Sequence, residues 1–268
     1  MQSITASAVL VAFVALGTAV APASAQEGAI EDNSFLVEEA YNQEAGVVQH
    51  ITTFQRTRGN AWNLGFTQEW PVGSVRNQLS YTLGYLDPGP ESPGFGDVAI
   101  HWRYQLLGAG DPKVALAPRV SALAPVGDAE TGLGAGGPGI QVNLPLSVEL
   151  PGGFVTHVNV GGTHLFDAEN PRGDEADLTL FHFGQSVVWH ARPRLDVLLE
   201  ALFVSGESVA APGRTEDEQA FVLSPGVRWA HDVGKLQIVP GIAVPLGLGP
   251  SRGDRAVFFY LSFEHPFE

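Results

Sequence analysis

Arg103, Arg119 and Arg228, His101, His157 and His182, and Glu200 and Glu264 each fall on the polar side of an alternating stretch. Together they can project into one enclosed space. Arginines there would donate to an anionic or hydroxyl-bearing solute, while histidines and carboxylates would line its path, since rings of mixed charge orient a passing molecule. The same groups, joined by Glu69, Glu149 and Asp196, could instead neutralise one another and hold a side-chain-filled interior together. Both readings stay open on the sequence. Arg103 and Arg119 flank the turn at Asp111 and Pro112 and so lie side by side. Two neighbouring guanidinium groups require an acidic partner from elsewhere in the chain.

Other chemistries fit poorly. The three polar-face histidines stand on different stretches with no short ligand spacing, so no metal site is expected. The chain has no cysteine, which excludes disulfides, a thiolate nucleophile and zinc–thiolate ligation. His164 and His231 lie on the apolar side, and neither has a serine at short spacing on its own face, so no serine–histidine pair is built. The glycine-rich run from Gly132 to Gly137 precedes no helical stretch and reads as a loop, not a phosphate cradle. No catalytic residue, cofactor or enzymatic activity is expected. With 14 Lys+Arg against 29 Asp+Glu, the net charge of −15 speaks against nucleic acid as a partner.

The elements that position these groups follow from the pattern of the chain. Only 16% of the 268 residues are charged, while Gly reaches 32 and Pro 19, too apolar for disorder and too rich in helix breakers for a bundle. From Val47 onward the chain alternates with period two in stretches of about ten residues. Ile140, Val142, Leu144 and Leu146 share one face, and Gln141, Asn143 and Ser147 the other. The second face is mostly small or neutral, with almost no lysine, unlike a water-facing surface. Small polar groups inside and apolar ones outside are what a transmembrane β-barrel needs.

Twelve such stretches are expected: 47–57, 60–72, 75–86, 96–107, 113–126, 138–150, 153–166, 177–190, 194–206, 219–232, 235–247 and 255–267. Connections alternate between short turns and long acidic loops at 87–95, 128–137, 167–176 and 206–218. This is the plan of an antiparallel up-and-down barrel of about twelve strands with both termini periplasmic. A two-residue turn at Gly73 and Ser74 pairs Glu69 with Gln78, Thr67 with Ser80 and Gly65 with Thr82. Polar residues then face polar residues.

Residues 1–25 carry no charge, run through an apolar stretch from Ala8 to Leu16 and end in Ala23-Ser24-Ala25, as a secretory signal peptide does. Residues 26–45 then form a periplasmic or lumen-plugging segment, and 46–268 the barrel.

The stretch from Asn33 through Phe35, Glu38, Tyr41 and Gly46 to Ile51 resembles the opening of outer-membrane transporters grouped as the "MetA-pathway of phenol degradation" family. The alternating aromatic stretch from Ala256 to Phe267 is similar to the C-terminal signal by which such barrels insert, although Glu268 follows the final aromatic residue. The resemblance implies an outer-membrane barrel and uptake of small, often aromatic or hydrophobic compounds. Expected partners are outer-membrane lipids and lipopolysaccharide, the barrel-assembly machinery and a small-molecule solute. A structural or lipid-interacting barrel without transport is the alternative. If the acidic loops face outward, a protease site inserted between Asn170 and Gly173 will be cut in intact cells, whereas a site at Val233 will be protected.

Overall fold

The computed structural model describes residue 30 and residues 32–89, 93–109, 113–233 and 236–266. The expected signal peptide and the last two residues lie outside them. The strands are β1 (Val47–Thr57), β2 (Trp62–Val72), β3 (Ser74–Asp87), β4 (Gly94–Tyr104), β5 (Val114–Leu116), β6 (Arg119–Ala124), β7 (Gly139–Leu150) and β8 (Phe154–Glu169). They continue as β9 (Glu175–Arg192), β10 (Leu195–Ala211), β11 (Arg214–Trp229), β12 (His231–Val233), β13 (Leu236–Ala243), β14 (Leu246–Gly247) and β15 (Ala256–Pro266). One 3-10 turn covers Gly249–Ser251. Three passes across the wall are interrupted and carry two labels each: β5 with β6, β11 with β12, and β13 with β14. Pro118 and Pro245 fall in two of these breaks, where a residue without N–H cannot continue a ladder.

The result is a closed antiparallel barrel of twelve passes. Closure is made by β1 against β15, from Val47↔Pro266 to Thr57↔Ala256, and the ring is completed through β13 to β11. A sheet can cross hydrocarbon only in this form, because an open edge would leave backbone groups unpaired.

Polarity is inverted relative to a soluble protein. Ile100, Trp102, Val120, Ile140, Val142, Leu144, Val160 and Phe183 are exposed on the outer surface. Gln49, Gln78, His101, Ser121, Asn143, Ser147, Asn159, Ser186 and Ser224 are buried inside. Trp70, Trp102, Trp189 and Trp229 sit near the short-turn ends of their strands, while Trp62 and Tyr85 pack together near the opposite end. Aromatic bands at both boundaries are the usual anchors at a membrane interface.

The structure corrects several boundaries. The expected loop 206–218 is mostly strand: β10 and β11 run together past Glu207↔Asp217 to a tight turn at Pro212 and Gly213. The loop 167–176 likewise shrinks, because β8 extends to Glu169 and β9 starts at Glu175. Polar residues on both faces look like loop in a sequence, but a strand standing clear of the hydrocarbon can be wet on both sides. Glu69 pairs with Ser80, Thr67 with Thr82 and Gly65 with Gly84, two residues from the expected register. An irregularity between Pro71 and Val72 absorbs the difference. Parity survives the shift, as a bulge plus turn requires if the faces are to stay sorted. Replacing outward Leu144 with Arg should lower barrel stability by about 2–4 kcal/mol if it lies near the midplane, measured by denaturant unfolding in lipid vesicles.

Candidate functional site

Residues 32–43 run inside the barrel and make one circuit of its inner wall. They form no strand, so their backbone groups must be met by wall side chains. The amides of Leu36 and Val37 both donate to Glu200 Oε1 on β10, at 2.8 and 3.0 Å. Glu38 N donates to Asn159 Oδ1 on β8 at 2.8 Å, and Asn159 Nδ2 returns a bond to Glu38 O at 2.7 Å. Ala40 N donates to Ser147 Oγ on β7, Asn42 N to Gln105 Oε1 just past β4, and Gln43 N to Gln78 Oε1 on β3. Gln49 on β1 clasps both ends of the circuit: its Nε2 donates to Asp32 Oδ1 at 2.7 Å, and its Oε1 accepts from Gln43 Nε2 at 2.6 Å.

The start of the segment is held by charge and by packing. Arg228 Nε donates to Asp196 Oδ2 at 2.9 Å, and its NH1 donates to the carbonyls of Asp32 and Asn33. Asp196 Oδ1 also meets His190 Nδ1 at 2.7 Å. The Asp32 carboxylate accepts from the hydroxyls of Tyr260 and Ser262. Between these contacts Phe35 stacks at a tilt on Phe258 and Tyr260 and joins Val188, Leu198 and Ala243 in a dry cluster. Gly226 and Gly241 make its seat: a Cβ at Gly241 would lie 2.4 Å from the Phe35 ring.

The acidic partner that Arg103 and Arg119 require is Glu38. The two arginines are opposite one another across β4 and β6. Glu38 Oε1 lies 3.4 Å from Arg103 NH1, and Oε2 lies 3.0 Å from Arg119 Nε. Arg103 is otherwise well supplied, with Glu69 at 3.7 Å, the carbonyls of Glu39 and Tyr41, and Asn42 Oδ1. Arg119 donates to Gln141 Oε1 and to His101 Nδ1, which leaves His101 Nε2–H for Thr82.

The remaining sequence-predicted residues are also inside but dispersed. His157 pairs with Ser147 Oγ at 2.7 Å, and His182 with Asn143 Oδ1 at 3.1 Å. Glu264 is half-buried on β15 opposite Gln49 and Gln237. Sequence reasoning did not identify Asp32, Glu38 and Glu39 as site residues. Their one signal was a short apolar run, Phe35-Leu36-Val37, followed at once by Glu38 and Glu39 ahead of the first strand, with no period to place them.

Above the segment, toward the long hairpins, lies a cavity of about 320 Å³. Leu36 and Glu38 belong to its floor, and Arg119, Gln141, Asn143 and His182 give it a polar side. Leu180, Leu202 and Val204 give it an apolar one. It reaches outward Phe181, where the β9–β10 ladder ends at Phe181↔Ser205 although both strands run on.

No family model and no curated protein matches the chain by sequence. Its fold is similar to that of the COG4313 outer membrane channel from Pseudomonas putida F1, with TM-score 0.63 and 13% identity over 85% of this chain and 98% of that one. It is also similar to the NanC porin, with TM-score 0.55 and 9% identity over 82% of this chain and 99% of that one. At such identities the likeness concerns the fold.

Burial pushes the Glu39 carboxyl up to about 8 from the usual 4.5, with Arg228, Asp32, Arg103 and Glu264 as its charged neighbours. Burial also raises Asp32, and Arg228 only partly offsets it. Burial opposes ionisation of Glu38 as well, yet Arg119 and Arg103 together hold it below the ordinary carboxylate value. Between 4.5 and about 8, Glu39 binds more protons in the docked segment than in a released one, so docking weakens as pH rises through that window. Glu38 acts with the opposite sign, its contribution being lost as pH falls below the carboxylate range. Hydrogen exchange of the segment's amides, corrected for its intrinsic pH dependence, should therefore quicken from about pH 5 to about pH 8, and Glu39→Gln should flatten that rise.

Proposed function

We propose that this chain is an outer-membrane channel for small apolar or amphiphilic solutes, stoppered from within by residues 32–43. One observation carries the reading: the cavity above the segment, with an apolar wall facing a polar one and a floor made by the segment itself. The lining suits a solute with an apolar body and one hydrogen-bonding group. His101, His157, His182, Glu200, Glu264 and the three arginines are its polar surroundings or the anchors of its stopper.

The resemblance to the "MetA-pathway of phenol degradation" transporters, and the COG4313 outer membrane channel among the proteins of similar fold, support the same class. We place the short turns and both termini in the periplasm, the acidic hairpins among cation-bridged lipopolysaccharide, and residues 1–25 as a leader removed on export. Insertion would use the barrel-assembly machinery through the last strand, β15 (Ala256–Pro266). A channel whose chemistry is passage needs no catalytic residue, and none of the roles above is catalytic.

Liposome swelling tests the reading. The mature chain should admit arabinose slowly, and a variant lacking residues 26–45 should admit it at least about ten times faster, as an opened lumen of this width requires. A folded, heat-modifiable variant no more permeable than the full chain would make the lumen structural.

A further inference from the structure

Building on that channel reading, we propose that the cavity takes a small carboxylate-bearing amphiphile, whose anionic head replaces Glu38 on Arg119 and thereby loosens the stopper at that point. Glu38 and Arg119 are the formally charged residues among those lining the cavity, and they touch each other at its edge, at 3.0 Å. They differ in attachment. Arg119 stands on the fixed wall, whereas Glu38 stands on a segment that belongs to no strand.

Charge balance makes the two exchangeable. Arg103, Arg119, Glu38 and Glu69 together sum to zero, so a second anion beside an intact pair would be uncompensated in a poorly solvated space. An anion that enters as Glu38 leaves conserves the balance. A neutral solute leaves the pair untouched. Arg103 keeps Glu69 on the wall, and through the carbonyls of Glu39 and Tyr41 and Asn42 Oδ1 it still holds the segment, so the exchange releases the stopper at Arg119 and not at Arg103. Arg119 makes no other direct ion pair among the described residues, so it loses its contacting counter-charge if Glu38 departs.

The geometry favours the newcomer. Arg119 Nε is buried and, despite its closeness to Glu38, makes no hydrogen bond of good angle. Gln141 and Asn143 flank the position, and Asn143 Nδ2, which now donates to Glu38 Oε2 at 2.6 Å, could turn to an incoming carboxylate. Opposite them, Leu180, Leu202 and Val204 would cover an aromatic ring or short alkyl body. Once Glu38 is displaced, residues 38–43 keep their hydrogen bonds to Ser147, Gln105, Gln78 and Arg103, while the Arg228 end stays fastened.

The test uses the folded full barrel in micelles, with 4-fluorobenzoate and 4-fluorobenzyl alcohol as probes read by fluorine resonance. Hydrogen exchange of the 36–43 amides reports docking. Benzoate at saturation should speed that exchange at least about ten-fold, and the alcohol should not. Glu38→Gln, which removes the competing carboxylate, should tighten benzoate about ten-fold or more and leave the alcohol within about two-fold. Arg119→Gln should weaken benzoate to a similar extent. Should Arg119→Gln fail to fold, the opposite sign expected of Glu38→Gln decides alone. If both probes bind and neither variant separates them, or if benzoate binds without speeding exchange, the exchange is wrong and the channel reading stands. If neither probe binds any form, the cavity is no solute site and the channel reading loses its main support.

Discussion

A stretch of backbone without a ladder, enclosed in a wall whose own backbone is already paired, sets the terms for this structure. Strand closure consumes the main-chain donors and acceptors of the barrel, so residues 32–43 can be satisfied only by side chains. Each buried amide left unmet would cost about 1–3 kcal/mol. Glu200, Asn159, Ser147, Gln105 and Gln78 accept the segment's amides one after another, from β10 round to β3. The polar character of the inner wall is thus specific in its order. It is a template for one path of one segment, and Gln49 joins the beginning of that path to its end.

Charge is arranged by the same economy. Over the whole chain acids outnumber bases, giving −15, and Glu169, Glu175, Glu207, Asp217 and Glu218 gather on the long hairpins. Inside, by contrast, Arg228 meets Asp196, and Arg103 and Arg119 meet Glu38 and Glu69. Buried pairs of this kind add little to stability relative to apolar filling, but removing one partner is costly. They are therefore better suited to fixing which segment docks, and where, than to holding the wall. The wall has its ladder for that.

The barrel was legible in the sequence because alternation is a repeated signal. The range Val47–Thr57 and the end of β7 at Leu150 follow directly from it. Even where register slipped by two residues beside Pro71, the faces stayed sorted, since a lipid-facing Leu cannot exchange places with a lumen Gln. The adjacency of Arg103 and Arg119 was legible too, and with it the need for an outside carboxylate. That the carboxylate is Glu38 was not. A segment that follows no period and makes only side-chain-to-backbone bonds leaves no mark in its own residue spacing, because its partners are fixed by a path through space. The extended ends of β10 and β11 escaped for a related reason: beyond the membrane the two faces meet the same solvent, and alternation fades while pairing continues.

Phe35 shows what the segment contributes beyond hydrogen bonds. A barrel lined mostly by small polar residues has only a thin apolar patch on its inner wall, and alone that patch would face water. Phe35 brings a core in from outside the wall. It packs with Phe258, Tyr260, Val188 and Leu198 over the backbones of Gly226 and Gly241, where any side chain would occupy its place. Yet no strand pairing passes through residues 32–43, and β1 closes on β15 without them. The segment therefore carries much of the interior packing and none of the closure. Packing and side-chain bonds can be released a few at a time, whereas a ladder in hydrocarbon cannot, so the part of this molecule free to move is the part that is not a strand.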